Sequence, residues 1–400
     1  MTYSERQNDI LKIASSLDIS PSMFANAKEK YQNIANYLSK HGIEADFYPQ
    51  GSFALGTVVR PSAKNPDAAY DLDFICQVKK NKEDTSASKL RNEVESILNE
   101  SDLYGGKLIS YDKCITIQYA DVGSIGFSID IVPAVDESQD TKDRLASIRP
   151  DLITMSIAIP KHCEKNYTWC TNNPKGYCKW FNEINDPFKA FSQELFRKSL
   201  FENNRAIYSS IEDIPVELER SAMQRVVQIL KYHRDIYYSH QPSGDDNKPI
   251  SAIIGTLVAD ISKTANPSSS VFDLLEFVLR ESEVYSKRQV LSENDFIAQY
   301  GNTRTIISRR DNKWYIMNPA NPEDNFADQW DNNTAKLFFA WLKAAKNDLI
   351  DSMQLQDAEF RLVAENAFGS AAIKNIWGSK YEKITPTPIQ NVQVAKPWRA

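Results

Sequence analysis

The sequence predicts an α+β protein of two lobes, with its functional site in the cleft between them. At 400 residues the chain exceeds the size at which one hydrophobic core keeps growing. Short alternating or β-branched runs concentrate between residues 47 and 135, and helical patterns take over beyond Pro187. We therefore predict a lobe with a mixed sheet in residues 1–190, a mainly helical lobe in 191–383 and an extended tail in 384–400.

One long helix, three strands and a second helix define the first lobe. Within residues 22–40, apolar side chains recur at the spacing of one helical face, and Gly42 follows as a stop signal. The runs DLDFICQV, CITIQYA and FSIDIVPAV have the alternating or β-branched texture of strands. The segment TSASKLRNEVESILNES lies between the first two strands and has helical spacing, which predicts a helix packed on the sheet.

Helical periodicity defines the second lobe. Two apolar stripes at helical spacing predict separate helices. Their members are Met223, Val226, Val227, Leu230 and Tyr237 in one, and Phe338, Trp341, Leu342, Ala345 and Leu349 in the other. We expect one hairpin among the helices, because TIISRR and KWYIMNP flank the turn residues Asp311 and Asn312.

Composition narrows the class of protein. Lys and Arg total 47 against 53 Asp and Glu, a formal charge of −6 without a dense basic run, so strong binding to nucleic acid is not expected. No stretch reaches the roughly 18 apolar residues of a membrane span, and residues 1–16 lack the apolar core of a signal peptide. We expect a cytoplasmic monomer that does not act at membranes, with its five cysteines reduced.

The segment QGSFALGTVVR predicts a site for phosphate. Gly51 and Ser52 follow a strand predicted at FYPQ. A Gly-Ser pair at the start of a helix offers free backbone N–H groups, a hydroxyl donor and the positive end of the helix dipole. Gly-Ser pairs are also common in ordinary turns, so this motif indicates a phosphate site only in combination with the acidic residues that follow it.

Two acids share one face of the strand DLDFICQV. Asp71 and Asp73 lie two residues apart and therefore project to the same side of the strand. The residues of the opposite face are apolar: Leu72, Phe74, Cys76 and Val78. Two carboxylates held side by side in an apolar strand repel each other and lose solvation, a cost that a divalent cation removes. The alternative is an edge strand or turn whose acids are simply solvated.

A third acid, Asp130, lies on the polar face of the strand FSIDIVPAV. If this strand lies beside the Asp71 strand, the three carboxylates could hold two Mg²⁺ ions, or Mn²⁺ in their place, roughly 3.5–4 Å apart. One ion would activate a sugar hydroxyl and the other would neutralise a triphosphate, and Asp130 could help to accept the hydroxyl proton. A solvated surface acid is the alternative for Asp130 also.

The ordered set GSFALGT, DLD and SIDIVPA resembles the DNA polymerase β-like nucleotidyltransferase superfamily. Within it, the sequence is most similar to the bacterial cGAS/DncV-like nucleotidyltransferases. Three further segments carry this resemblance, which extends from about the first helix to Lys346: RVVQILKYHRDIYY, PISAIIGTLVA and NPANPEDNFADQW. The resemblance implies a polymerase β-like catalytic lobe, with Gly51 and Ser52 in the phosphate-holding turn and Asp71, Asp73 and Asp130 as the metal-binding acids.

The resemblance also implies an activity and partners. Members of the family join nucleoside triphosphates into a cyclic di- or trinucleotide second messenger with release of pyrophosphate; we expect ATP as one substrate, with GTP or another triphosphate beside it. In bacteria such a signal activates an effector protein during phage infection. A conjugating or regulatory protein could act on the C-terminal tail at Ala400. Two alternatives stay open. One is a transferase that makes linear products or adds nucleotides to RNA, and the other is a catalytically silent member that only binds nucleotide, RNA or a protein partner.

Lys231 and Ser251 resemble the pair that contacts the triphosphate tail in the family. The sequence supports Lys231 separately, because it belongs to a polar stripe at helical spacing with Gln224, Gln228 and Asp235. A solvated lysine and a serine that merely caps a helix are the alternatives for these two residues.

Cysteine and aromatic residues cluster after the third acid. Some animal relatives carry a zinc site in a comparable region, but the spacing of His162, Cys163, Cys170 and Cys178 is wider than in closely spaced ligand pairs, so ordinary packing is favoured over zinc. Four aromatic residues of the same region could stack on a base, although packing is the favoured role. They are Trp169, Tyr177, Trp180 and Phe181.

Overall fold

The first lobe is a mixed sheet, which confirms the predicted α+β class. The computed structural model describes residues 1–60, 69–122, 125–146, 149–203, 219–242, 244–302, 304 and 306–382. The strands of this lobe are β1 (Ala45–Pro49), β2 (Ala69–Val78), β3 (Leu108–Ser110), β4 (Ile115–Val122), β5 (Ile125–Asp136), β6 (Ile157–Cys163) and β7 (Asn166–Asn172). They run in the order β1-β2-β5-β4-β3, and β6 pairs with both β5 and β7. Strands β2 and β5 are parallel, and the other pairs are antiparallel.

Helices dominate the rest of the described chain. They are α1 (Tyr3–Ser16), α2 (Pro21–Lys40), α3 (Gly51–Leu55), α4 (Ala87–Asn99), α5 (Gln139–Leu145), α6 (Pro150–Ile153), α7 (Pro174–Asn203), α8 (Ala222–Ser239), α9 (Gly244–Asn247), α10 (Ser251–Ser262), α11 (Val271–Ser286), α12 (Glu293–Tyr300), α13 (Asn332–Leu349), α14 (Asp357–Phe368) and α15 (Ser370–Trp377). No helix of this described part is long and apolar enough to cross a bilayer.

Two amphipathic helices cover one face of the sheet. Helices α2 and α4 begin at Ser20 and Ser86, whose side chains accept hydrogen bonds from amides of the first turn, as N-caps do. Their apolar stripes join the apolar faces of the central strands in one core. Burial of that face fixes the register of β2 and β5, because a slip by one residue would turn every side chain to the other side.

The second lobe is a helical core built around α8. The two predicted stripes lie on α8 and α13, and their apolar residues are buried in a single cluster. The predicted hairpin is present as β8 (Ser308–Arg310) and β9 (Lys313–Tyr315), with Asp311 and Asn312 both at positive φ in the turn. A further strand pair, β10 (Met317–Asn318) and β11 (Asn321–Asn325), follows it directly.

The first helix belongs to the core of the second lobe. Ile10, Ile13 and Ala14 of α1 are fully buried in that core. The buried Asp9 accepts hydrogen bonds from Lys380 Nζ and Tyr381 Oη, and its carbonyl oxygen accepts one from Trp377 Nε1. The beginning of the chain and residues 377–381 are therefore joined across the helical lobe.

Helix α7 runs through the predicted boundary at residue 190. It begins in the first lobe at Pro174 and continues for 30 residues, with Pro187 inside it. A proline in a helix interior removes one backbone hydrogen bond, and α7 continues past Pro187 without it. The tail predicted for residues 384–400 lies outside the described residues.

Candidate active site

Three carboxylates meet on one face of the sheet. Parallel pairing of β2 with β5 places Asp73 opposite Asp130 and Asp71 opposite Ser128. Because Asp71 and Asp73 are two residues apart on one strand, all three acids project from the same face. The arrangement that the strand patterns predict is thus present in the structure.

Hydroxyl groups of the neighbouring strands hold two of these acids. Ser128 Oγ donates a hydrogen bond to Asp71 Oδ1, and Thr116 Oγ1 donates one of 2.5 Å to Asp130 Oδ1. Thr116 lies on β4 directly opposite Asp130 in the antiparallel register. Neither hydroxyl was predicted to have a role from the sequence; the only available signal was their position on the polar faces of strands.

Burial and mutual repulsion raise the pKa values of the acids. Burial is the main cause for Asp73, and the charges of Asp130 and Asp71 add to it, which raises its pKa to about 7. Burial also raises the pKa of Asp71 and of Asp130, although their hydroxyl partners favour the ionised forms. A bound cation would stabilise the ionised forms of these carboxylates, because its positive charge offsets both their burial and their mutual repulsion.

Oxygen donors of this kind suit Mg²⁺ or Mn²⁺. Hard divalent ions prefer carboxylate oxygens, and the raised pKa of Asp73 means that its negative charge is not balanced by the protein alone. Among the described residues, no three His, Cys, Asp or Glu side chains are placed to hold a metal ion as they stand. The carboxylate chemistry of the three acids fits a hard cation, but Ser128 and Thr116 donate hydrogen bonds to the oxygens of Asp71 and Asp130 that such an ion would use.

The Gly-Ser segment lies directly against the acids. Gly51 begins α3 at a φ of +60°, and the amide of Gln50 donates a hydrogen bond of 2.8 Å to the carbonyl oxygen of Asp73. A Cβ atom on Gly51 would lie 2.6 Å from Asp73 Oδ2. Both the positive φ and the close approach require glycine at this position. Ser52 follows on α3 and lines the adjoining cavity.

Lys231 and Ser251 reach the same cavity from the helical lobe. Lys231 on α8 is 8% exposed, and its Nζ donates a hydrogen bond of 3.0 Å to the carbonyl oxygen of Thr57. Burial lowers the pKa of Lys231 to about 8, and the charges of Asp73 and Asp71 oppose that shift. Ser251 is the first residue of α10, whose cap is Ile250, and it accepts a hydrogen bond of 3.2 Å from Arg234 Nη1.

The cavity between the lobes has a volume of about 220 Å³. Beyond Gly51, Ser52, Lys231 and Ser251, it is lined by residues to which the sequence assigns no individual role, although three of them lie in the segment NPANPEDNFADQW, which carries part of the family resemblance. They include Asn173, Asn318, Asp324 and Phe326. Asn318 Nδ2 donates a hydrogen bond of 3.0 Å to Asp324 Oδ2, which holds this carboxylate in the wall of the cavity.

Two of the four aromatic residues considered for base stacking line this cavity. Tyr177 and Phe181 do so, and the hydroxyl of Tyr177 lies 2.8 Å from Thr256 Oγ1. Trp180 is buried in the helical core, and Trp169 packs against the core of the sheet lobe. Phe181 is fully buried in the helical core, so of these four only Tyr177 combines a place in the cavity lining with some exposed surface.

The residues weighed as zinc ligands are spread over three elements. His162 and Cys163 end β6, Cys170 lies opposite Ile159 on β7, and Cys178 lies on α7 with its Sγ 3.8 Å from the carbonyl oxygen of Ala54. Cys170 and Cys178 are partly buried, whereas His162 and Cys163 are exposed, and the preference for packing over zinc stays a prediction.

The stability of the metal-free protein should depend on pH through Asp73. Its pKa is raised on folding, so its contribution to stability is present below pH about 4 and is lost as the pH rises to about 7. Saturating Mg²⁺ should therefore raise the melting temperature more at pH 8 than at pH 5. Thermal unfolding of the wild type and of Asp73→Asn at both pH values tests this. Equal Mg²⁺ effects in the two proteins would contradict it.

Comparison with known proteins adds independent information. Residues 5–185 match the model of the Second Messenger Oligonucleotide or Dinucleotide Synthetase domain. The c-di-GMP synthase of Roseivirga ehrenbergii is 24% identical over 332 residues, which are 82% of this chain and 73% of that protein. Cyclic dinucleotide synthase CdnG of Bradyrhizobium diazoefficiens is 24% identical over 240 residues, which are 58% of this chain and 53% of that protein. The solved structure of that CdnG in complex with GTP is 19% identical and has a TM-score of 0.63, with 93% of this chain and 98% of that one covered. At this identity, the solved structure establishes the likeness of fold alone.

Proposed function

Because the chain belongs to the bacterial cGAS/DncV-like nucleotidyltransferases, we propose that it joins nucleoside triphosphates into a cyclic di- or trinucleotide with release of pyrophosphate. One observation carries the proposal: Asp71, Asp73 and Asp130 converge on one face of the sheet, next to Ser52 and within electrostatic reach of Lys231. A protein that only binds nucleotide would gain nothing from three carboxylates at the place where phosphates must lie.

The side chains of the site have separate tasks in this reaction. Asp71, Asp73 and Asp130 would hold Mg²⁺, which when bound lowers the pKa of an attacking hydroxyl and neutralises phosphate charge. The Ser52 hydroxyl and the Lys231 ammonium group would hold the donor triphosphate. Ser251, the first residue of α10, would hold it with them. Asp130, whose pKa is raised by burial, could accept the proton of the attacking ribose hydroxyl. A second such step would close the ring.

The far side of the cavity would hold the base. The family resemblance favours ATP as one substrate, while one relative named above is a c-di-GMP synthase and the other was solved with GTP. The carboxylate of Asp324 can accept hydrogen bonds from the N–H groups of guanine, whereas the Watson–Crick edge of adenine offers it a single amino donor. Asp324 would therefore favour GTP as the triphosphate used beside ATP.

Product analysis tests the proposal. The purified protein is incubated with all four nucleoside triphosphates and Mg²⁺, and the products are treated with phosphatase and identified by mass spectrometry. A phosphatase-resistant cyclic product and released pyrophosphate are expected. Linear products that lose terminal phosphates would favour the oligoadenylate-type or RNA-extending transferase. Absence of pyrophosphate release with every triphosphate would favour the silent binder.

The biological setting is a further part of the proposal. The family resemblance supports signalling to an effector protein during phage infection, and a conjugating or regulatory protein at the C-terminal tail. Mass spectrometry of the cellular protein during infection tests the second point. A tail that ends only in unmodified Ala400 would argue against conjugation.

A further inference from the structure

Two glutamines of α8 bind the loop that follows Ser52. Gln224 Nε2 donates a hydrogen bond of 2.8 Å to the carbonyl oxygen of Leu55, and Gln228 Nε2 donates one of 2.6 Å to that of Val58. Both side chains are buried, and Gln228 has no exposed surface. Together with Lys231, they form the polar stripe of α8, so one face of this helix is bonded to neighbouring carbonyl groups of the sheet lobe.

The bonded carbonyl groups belong to Leu55, the last residue of α3, and to Thr57 and Val58 in the loop that follows it. The last carbonyls of a helix have no partner within the helix, so their external donors set where the helix end lies. Gly56 adopts a φ of +65° in this turn, and a Cβ atom there would lie 2.4 Å from Gln224 Nε2. Helix α3 has only five residues, and Gly51 at its other end contacts Asp73. A displacement at Leu55 therefore reaches Gly51 and Ser52 within about one helical turn.

Gln228 is better suited to donating hydrogen bonds than to packing. Its Nε2 bridges the carbonyl oxygen of Val58 and Asp18 Oδ1, the latter at 2.9 Å. Its Oε1 is buried and has no hydrogen-bond partner among the described residues. Methionine has a similar volume and would avoid this unsatisfied acceptor, so packing alone does not explain an amide here. Arg225 also binds Asp18, at 2.9 Å, which ties the same helix to the connection between α1 and α2.

We propose that Gln224 and Gln228 are positioning residues, which keep Gly51 and Ser52 facing the carboxylates for as long as α8 is docked on the sheet lobe. The phosphate-holding end of α3 is thus set by the helical lobe, through contacts that bypass the nucleotide. The predicted effect on turnover rests on the proposed function. The effect on the position of α3 does not, because it concerns the protein without any substrate.

Hydrogen exchange and kinetics of three variants test this inference. Gln228→Met removes the donor, Gln228→Lys keeps a donor for both Val58 and Asp18, and Tyr232→Phe is the matched control. The control removes a buried donor of the same helix, but its acceptor, the carbonyl oxygen of Phe368, lies within the helical lobe. Amides of residues 52–58 should exchange about tenfold faster in Gln228→Met than in the wild type, and Gln228→Lys and Tyr232→Phe should exchange like the wild type.

The kinetic constants of the variants should change in the same way as their exchange rates. In Gln228→Met, kcat/KM for the triphosphate should fall about tenfold, because misplacement of binding groups by a fraction of an ångström weakens the transition state. Rescue by Gln228→Lys separates positioning from a general loss of stability. Unchanged exchange in Gln228→Met, or an equal change in Tyr232→Phe, would overturn the inference. Altered exchange in a protein that turns over no triphosphate would support the inference and refute the proposed function.

Discussion

Replacing Asp71 and Asp73 together by alanine is expected to lower the rate of product formation by about 10³-fold or more, a loss of roughly 4 kcal/mol of transition-state stabilisation. Under the proposed function, these acids are two of the three carboxylates on this face of the sheet, so Asp130 alone would not hold a pair of ions. Synthesis is followed with labelled triphosphates and Mg²⁺, and the fold is checked by circular dichroism and thermal unfolding.

The stability of this double variant distinguishes a catalytic role from a structural one. Because burial and mutual repulsion raise the pKa values of Asp71 and Asp73, removing them should leave the metal-free melting temperature unchanged or higher at pH 8. Asp46→Ala, which removes an exposed acid of β1, serves as the control and should retain full activity. Continued synthesis by the double variant would refute the assignment of these acids.

Replacing Gly51 by alanine is expected to lower kcat/KM by about 10²-fold, because a shift of about 1 Å in a catalytic group can cost that much. The new Cβ atom would lie 2.6 Å from Asp73 Oδ2, so either the carboxylate or α3 must move. The positive φ adds a backbone cost of roughly 1–2 kcal/mol, which should appear as a lower melting temperature.

Gly106→Ala provides the matched control for this change. A Cβ atom added to Gly106 would meet no atom within 4 Å, and Gly106 is not among the glycines at positive φ. Alanine there should therefore leave both kcat/KM and the melting temperature almost unchanged. Both variants are assayed with the same triphosphates and Mg²⁺. Wild-type activity in Gly51→Ala would show that the contact between α3 and Asp73 does not set the reaction geometry.

Much of the fold follows from periodicity in the sequence. The apolar faces of β2, β5, α8 and α13 were predicted correctly, because each of these elements buries one face and its pattern is complete within a single segment. Helix α1 was not predicted, since its stripe is short and its buried side is bonded to residues more than 300 positions away in the chain. Helix α7 extends across residue 190, where the sequence predicts the boundary between the lobes, because it packs on α3 as well as on α8 and α10.

The site was predictable to the extent that its groups lie on regular elements. The strand patterns place Asp71, Asp73 and Asp130 on one face, and the helical stripe places Lys231 towards the cleft. Thr116 and Ser128 were not recognised, because their importance depends on the register of neighbouring strands. The roles of Gln224 and Gln228 depend on backbone carbonyls about 170 residues away, which no local pattern reveals.

The contact between Asp9 and residues 377–381 determines when the helical lobe can finish folding during synthesis of the chain. The ribosome makes Asp9 368 residues before its partner Trp377, so the core around α1 stays open until Trp377 and Tyr381 have emerged. Contacts between such distant parts of a chain form slowly, because they close a very long loop. Nascent chains would therefore hold a folded sheet before the helical lobe is complete, and the cavity between the lobes would form only after Tyr381 has emerged.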